Sequence, residues 1–386
     1  MFKRWLSFGP DKSVLLIGPR RSGKTTYLKT NFPDFRYSTL DDFDDLGWAR
    51  EDPKGFIQQL GKKAIIDEIQ RFPELTVAVK YSIDNENARF LMSGSSALGL
   101  LDSAADSLAG RIQILSLPTC CWGENEGNQD HSIFTEKLNH AEIKSAQRTL
   151  REAVTYGQFP EVLNQKDAEK KQAILKNYRN TYFIRDMMQL ASIENADGLM
   201  AIFYHIARSI GSHLEISNFA KESGLSHPTA KKYINALSSS QLIFKLRGYQ
   251  YGPAKRYIKA SKIYFSDNGI IESMNIKLSD GQIIENFVLS ELEKRRKLGL
   301  IAADELFYYK SSGGREIDCV FESGDTLYAI EIKASPVVSK RDVNNLVSFK
   351  ASSKRNVKMF LFYMGTRYEK QNSVHIMPIA SLYKGY

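Results

Sequence analysis

Apolar residues in this chain fall into two rhythms. Short unbroken apolar runs that stop at a polar residue occur at 13–17 before Gly18, at Ala64-Ile-Ile before Asp67-Glu68, and at Phe90-Leu-Met before Ser93. A fourth run covers Ile112–Leu117. Runs of this length without alternation predict strands buried on both faces, the condition of a parallel sheet. Helical patterns separate them, so residues 1–121 read as an α/β domain. Its ligand is expected beyond the carboxyl ends of the strands, where the polar residues gather.

The second rhythm, with helical spacing, dominates further on. After a polar connector, Gly123-Glu-Asn-Glu-Gly127-Asn-Gln-Asp130, residues 140–210 read as mostly helical, and 122–204 as a connector and helical region. Ile174, Leu175, Tyr178, Tyr182 and Phe183 share helical spacing within 168–188. Residues 281–298 carry Ile283, Ile284, Phe287, Val288 and Leu292 on one face of an amphipathic helix. Strand-like runs at 305–310, 316–321 and 327–333 follow, then a helix near 340–350 and a strand at 357–363. Residues 266–386 thus read as a second α/β unit.

Composition narrows the class. With 386 residues, 42% hydrophobic and 25% charged, the chain has the mixture of a globular protein of two or three domains. Collagen, a disulfide scaffold and wholesale disorder are excluded. No run approaches the roughly 18 apolar residues of a membrane span, and the start breaks at Gly9-Pro10-Asp11 without a secretory apolar core. Cys120, Cys121 and Cys319 give neither a pairing framework nor metal spacing, so a cytoplasmic protein with no membrane partner is expected. The net charge of +9 is unevenly spread: residues 1–120 hold 16 Lys+Arg against 15 Asp+Glu, whereas 205–265 hold 10 against 2. Such a local excess points to a polyanion or to a solvated basic face.

Gly18-Pro19-Arg20-Arg21-Ser22-Gly23-Lys24-Thr25 fits the phosphate-loop pattern in full and lies between a predicted strand and a helix that Thr26 can help open. Glycines let backbone N–H groups converge on phosphate oxygens, Lys24 is expected at the β/γ-phosphates, and the Thr25 hydroxyl is expected to ligate Mg²⁺. Asp67 would help hold that Mg²⁺ and Glu68 would polarise the attacking water. Ser93 reads either as a hydroxyl near the γ-phosphate or as a polar turn. Arg111 is a candidate to neutralise γ-phosphate charge, within its own subunit or a neighbour's. Arg20 and Arg21 face either solvent or nucleotide. The acidic run Asp41–Asp45 reads as a solvated loop rather than a metal site.

Residues 214–245 have the cadence of a helix-turn-helix, with Gly224 at the turn, Ser226 as cap and Pro228 in the first turn of the second helix. Ala230, Ile234 and Leu237 make a buried stripe that leaves His227, Lys231, Lys232 and Asn235 outward, where they can meet phosphates and base edges. Two strand-like runs around Tyr249–Arg256 resemble a wing, with Lys255 and Arg256 at its tip, so 205–265 read as a winged helix. Such a module binds either DNA or a protein. Farther on, Glu331 and Lys333 share one face of a strand, Asp318 sits on the strand before it, and Glu285 on the preceding helix. Asp318 and Glu331 can hold Mg²⁺ and Lys333 can orient water for phosphodiester attack, or the cluster satisfies itself.

Together these residues resemble the prokaryotic AAA+-related ATPases that join a P-loop domain to a winged helix and a PD-(D/E)XK nuclease-like, restriction-endonuclease-like α/β fold. The resemblance rests on the phosphate loop, Ile65-Ile-Asp-Glu-Ile-Gln70, Leu91-Met-Ser-Gly-Ser-Ser96, Leu108-Ala-Gly-Arg111, Tyr156-Gly-Gln-Phe-Pro-Glu161, Lys262-Ile-Tyr-Phe-Ser-Asp267, Glu316-Ile-Asp318 and Ile330-Glu-Ile-Lys333. It implies ATP binding and hydrolysis through Lys24, Thr25, Asp67 and Glu68, with Arg111 as sensor or finger, and a nuclease centre at Asp318, Glu331 and Lys333. Two departures stand out: Ser93 replaces the family's sensor Asn, and Ser266-Asp-Asn-Gly269 replaces its Asp-x-Gly-Leu.

Overall fold

The computed structural model describes residues 2–9, 11–95, 108–124, 134, 140–183, 188, 193, 195–250, 260–311 and 313–383. Among them, five parallel strands form the amino-terminal sheet: β1 (Ser13–Ile17), β2 (Arg36–Thr39), β3 (Lys63–Asp67), β4 (Arg89–Gly94) and β5 (Ile112–Ser116). Their order is β2-β3-β4-β1-β5, which inserts β4 between the strand feeding the glycine loop and the strand ending in Asp67. Side chains alternate across the sheet. Leu15, Ala64, Ile66, Phe90 and Met92 therefore enter one core against α2 (Phe43–Glu51), α3 (Pro53–Leu60) and α4 (Leu75–Glu86). Val14, Leu16, Ile65 and Leu91 enter the other, against Tyr27 and Leu28 of α1 (Lys24–Asn31) and Leu6 of the amino-terminal segment.

Two local expectations change. The acidic run is not a loop: Asp42 caps α2 by accepting from the Asp44 and Asp45 amides, and its neighbours sit where the helix dipole favours negative charge. The four-residue β2 escaped notice because its alternating polar sequence, Arg-Tyr-Ser-Thr, lacks an apolar run.

A helical layer follows, with α5 (His140–Tyr156), α6 (Pro160–Leu163), α7 (Ala168–Asn177) and α8 (Ala196–Arg208). The helix expected through 188 changes character at Tyr178, where a π-helical segment runs to Phe183. Next come α9 (Ile216–Glu222) and α10 (His227–Ser239), with Gly224 at φ +65° in the turn and the Ser226 hydroxyl accepting from the Thr229 amide. The antiparallel pair β6 (Ile243–Gly248) and β7 (Lys262–Phe265) leads into α11 (Asn268–Ser273) and α12 (Asp280–Lys297).

A mixed sheet closes the chain: β8 (Phe307–Lys310), β9 (Glu316–Ser323), β10 (Thr326–Lys333), β11 (Asn356–Tyr363), β12 (Glu369–Gln371) and β13 (Val374–Pro378), with α13 (Lys340–Ser352) packed on it. β6 joins it by parallel pairing of Arg247 with Phe307 and Gly248 with Tyr308. The described strands thus run β12-β13-β11-β10-β9-β8-β6-β7 without a break. The hydrogen-bonded sheet crosses the position between residues 265 and 266, because β8 satisfies an edge of the basic hairpin that would otherwise stay open.

Candidate nucleotide site and carboxylate cluster

The glycine loop follows β1. A Cβ on Gly18 would overlap the Leu117 carbonyl oxygen, so only glycine fits there, and Gly23 adopts φ +93° at the start of α1. Lys24 is buried and folds back over its own loop, its ammonium donating to the carbonyls of Gly18 (2.9 Å) and Pro19 (3.0 Å). The Ser22 hydroxyl is fully buried and has no hydrogen-bond partner. An orphaned hydroxyl beside a buried lysine fits a site built for an anion. Arg21 turns away to an ion pair with Glu161, and Thr26 is exposed on α1.

Asp67, at the end of β3, is buried and ringed by hydroxyls. Thr25 donates to it at 2.7 Å, Tyr37 at 3.0 Å, and Ser93 donates to its other oxygen. Burial, with the Asp67 charge second, pushes the Tyr37 phenol up to about 12, which keeps it a neutral donor. Ser93 therefore serves Asp67 in this arrangement. Glu68 adopts φ +57° and accepts from Gln70, whose amide also donates to Ser95 at 3.1 Å. Thr25 and Asp67, the pair expected to hold Mg²⁺, are adjacent, and their donor chemistry fits a hard cation. Arg111 is not brought to this group; it pairs with Asp84 of α4 at 2.6 Å. Its Nη1 also donates to the Ala109 carbonyl at 3.2 Å.

Three features here were not read from the sequence. A cavity of about 1030 Å³ opens beside the loop along α1, lined in part by Phe8, Ser22, Thr26, Tyr27, Pro160 and Asn164. The buried Arg4 guanidinium touches the loop from behind, donating to the Ser22 carbonyl at 2.8 Å. Below it, Asp267 accepts from the Thr119 hydroxyl (2.6 Å), the Lys294 ammonium (3.0 Å) and the Gln158 and Gly269 amides. Gly157, at φ +68°, lies so close that a Cβ there would overlap the Asp267 carboxylate. The Lys-Ile-Tyr-Phe-Ser-Asp motif held the signal for Asp267, but its partners Thr119 and Gln158 are over a hundred positions away.

The carboxyl-terminal candidates also come together. Lys333 donates to Glu331 at 2.7 Å and lies 3.7 Å from Asp342, while the second Glu331 oxygen is buried without a partner. Asp318 accepts from the Ile332 amide at 2.8 Å, and Glu285 accepts from Tyr264 at 2.7 Å. Lys262, buried on β7, pairs with Glu316. Burial, then the nearby Glu331 and Glu285 charges, holds the Asp318 carboxyl well above the usual range; burial likewise raises Glu331 against the pull of Lys333. Among the described residues, no three His, Cys, Asp or Glu side chains are disposed to hold one metal ion. Lys333 thus pairs with Glu331 and Lys262 with Glu316, while Asp318 accepts from an amide and one Glu331 oxygen stays open.

On α10, His227, Lys231, Lys232 and Asn235 are exposed on the face opposite the buried Ala230, Ile234 and Leu237. Lys245 of β6 donates to Asn235 at 3.3 Å. Lys255 and Arg256 lie outside the described residues.

Residues 10–125 match the AAA domain model. The amino-terminal part is thus a parallel-sheet α/β domain of the P-loop ATPase kind. Residues 147–280 and 280–382 match two domains of unknown function, DUF8612 and DUF4143. The uncharacterized protein Rv2008c of Mycobacterium tuberculosis is 26% identical over 343 residues, which cover 85% of this chain and 72% of that protein. The uncharacterized protein MJ1544 of Methanocaldococcus jannaschii is 27% identical over 321 residues, 78% of this chain and 70% of that one. A signal-transduction ATPase with numerous domains (STAND) and a tetratricopeptide repeat sensor, PH0952 from Pyrococcus horikoshii, overlays with a TM-score of 0.23 and 14% identity. The overlay covers 77% of this chain and 49% of that one, so the chain spans about half its length. Among the described residues, no helix is long and apolar enough to cross a membrane.

Proposed function

We propose that the chain binds and hydrolyses ATP and that its nucleotide state sets the posture of a DNA-directed, nuclease-like carboxyl-terminal region. In this reading residues 1–121 are the ATPase module, 122–204 a helical connector, 205–265 a winged helix and 266–386 a PD-(D/E)XK nuclease-like unit. The observation that carries it is the gathering of the Thr25 and Ser93 hydroxyls around the Asp67 carboxylate, at the carboxyl ends of adjacent strands and beside the glycine loop.

The chain's own groups supply most of the chemistry. Lys24 exchanges two neutral carbonyls for phosphate oxygens, a change to stronger charge-assisted bonds. The Ser22 hydroxyl gains the partner it lacks. The apolar cavity beside the loop has room for a nucleoside. Thr25 and Asp67 hold Mg²⁺, which when bound neutralises charge on the transferring phosphoryl group. Glu68 orients water as general base. Arg111 acts only if it leaves Asp84. At the other end, the exposed lysines of α10 present a phosphate-binding face.

ATP turnover with and without duplex DNA tests this, with Lys24→Ala as the blank. Stimulation by DNA that disappears in the blank supports the reading. DNA binding should also weaken steeply between 50 and 200 mM salt, roughly tenfold or more for even a few phosphate contacts. No binding at low salt would turn the reading into a nucleotide switch whose winged helix docks a protein.

A further inference from the structure

Arg4 lies upstream of every motif the nucleotide reading uses, yet its guanidinium is the most connected group behind the phosphate loop. One Nη donates to the Ser22 carbonyl at 2.8 Å. The other donates to the carbonyls of Pro118 (2.8 Å) and Thr119 (3.4 Å), and Nε reaches Glu124 at 3.1 Å. Glu124 is fully buried and also accepts from the Cys121 and Trp5 amides. Segment 118–124 is in turn bound to the carboxyl-terminal region. The Thr119 hydroxyl donates to Asp267 (2.6 Å), and Lys294 of α12 donates to Asp267 (3.0 Å) and the Cys120 carbonyl (3.1 Å). The Trp122 amide donates to Glu291 of the same helix at 3.0 Å.

The chemistry of the first link is specific. The Ser22 carbonyl and the Gly23 N–H belong to one peptide unit. A phosphate oxygen that accepts from this N–H polarises the carbonyl on its far side, and the Arg4 bond strengthens with it. A lysine at position 4 would keep the charge but lose the fork that holds loop and segment together.

We propose that Arg4 is a positioning residue for the phosphate loop and the link through which triphosphate occupancy reaches Asp267, Lys294 and α12. The inference rests on the ATP reading and deepens it by naming the route from the nucleotide to the carboxyl-terminal region.

Isothermal titration with the β,γ-imido analogue of ATP and Mg²⁺, paired with amide hydrogen exchange over residues 262–297, tests it in the full chain. In the parent, the analogue binds and slows exchange in α12. Arg4→Gln should weaken binding about tenfold and, at saturating analogue, abolish the slowing; Arg4→Lys should restore affinity more than coupling. Thr119→Val cuts the link beyond Arg4, so affinity should stay within about twofold of the parent while the slowing is lost. This second variant decides the matter if Arg4→Gln does not fold. A purely structural Arg4 would speed exchange with and without analogue alike and leave their difference intact. That outcome, or full slowing in Thr119→Val, overturns the proposal. A parent that binds the analogue with no change at 262–297 overturns it too while sparing the ATP reading; a parent that binds no analogue sinks that reading itself.

Discussion

The chain builds two centres from the same residue types and gives them opposite partners. At the phosphate loop, Asp67 is surrounded by the neutral hydroxyls of Thr25, Tyr37 and Ser93, and Lys24 rests on neutral carbonyls. At the carboxyl-terminal cluster, Glu331 faces Lys333 and Glu316 faces Lys262. Neutral hydroxyls leave the Asp67 charge available to a ligand, whereas Glu331 and Glu316 already share theirs with a lysine, and Asp318 and Glu285 accept from an amide and a phenol. Acids and lysines near one another are therefore weak evidence for a metal site; which groups they are paired with decides.

Four substitutions set the centres apart. Lys24→Ala should have the largest effect, lowering ATP affinity or turnover about 10³-fold through loss of charge-assisted bonds, with little change in urea unfolding. A parent-like rate would mean the loop is not the site. Lys262→Met should do the reverse: about 2 kcal/mol of stability lost because half-buried acids lose their cation, with ATP turnover unchanged. If it alters turnover and not stability, the two centres are not independent in the way described. Glu68→Gln should bind ATP normally and hydrolyse it about 100-fold more slowly; a rate-neutral variant would remove Glu68 from the mechanism.

The smallest effect depends on pH. Because the folded-state pKa of Asp318 lies above its unfolded value, the native state holds a proton that the unfolded chain releases. Stability from this group therefore falls as pH rises from about 4 through the raised value, by about 1.4 kcal/mol per unit of elevation. Asp318→Asn removes that loss, so its urea midpoint should exceed the parent's at pH 8 and converge on it near pH 4. A constant difference across that range would place the cause elsewhere.

The amino-terminal sheet was legible wherever strands were continuous apolar runs, and the glycine loop because its pattern fills eight consecutive positions; the meeting of Thr25, Asp67 and Ser93 depends on the strand order. β2 and β12 were not legible, since few apolar residues mark them, and the five-residue β13, broken by His375 and closed by Pro378, is too short to stand out. The roles of Arg4 and Asp267 are set by chain segments more than a hundred residues apart, which no local pattern encodes. Lys262 carried a faint signal, a charge opening the apolar strand Lys-Ile-Tyr-Phe, but its meeting with Glu316 depends on the fold bringing β7 and β9 together. The same holds at Asp318 and Glu331: spacing showed the carboxylates and Lys333, and not the second lysine that β7 brings to their neighbour Glu316.

Gly157 ties these threads to heredity. Its hydrogen atom stands where any larger substituent would push into the Asp267 carboxylate, and its backbone angle already disfavours every other residue. Descendants of this gene that keep the buried acid should keep that position bare, and a lineage that fills it should be found to have surrendered Asp267 as well.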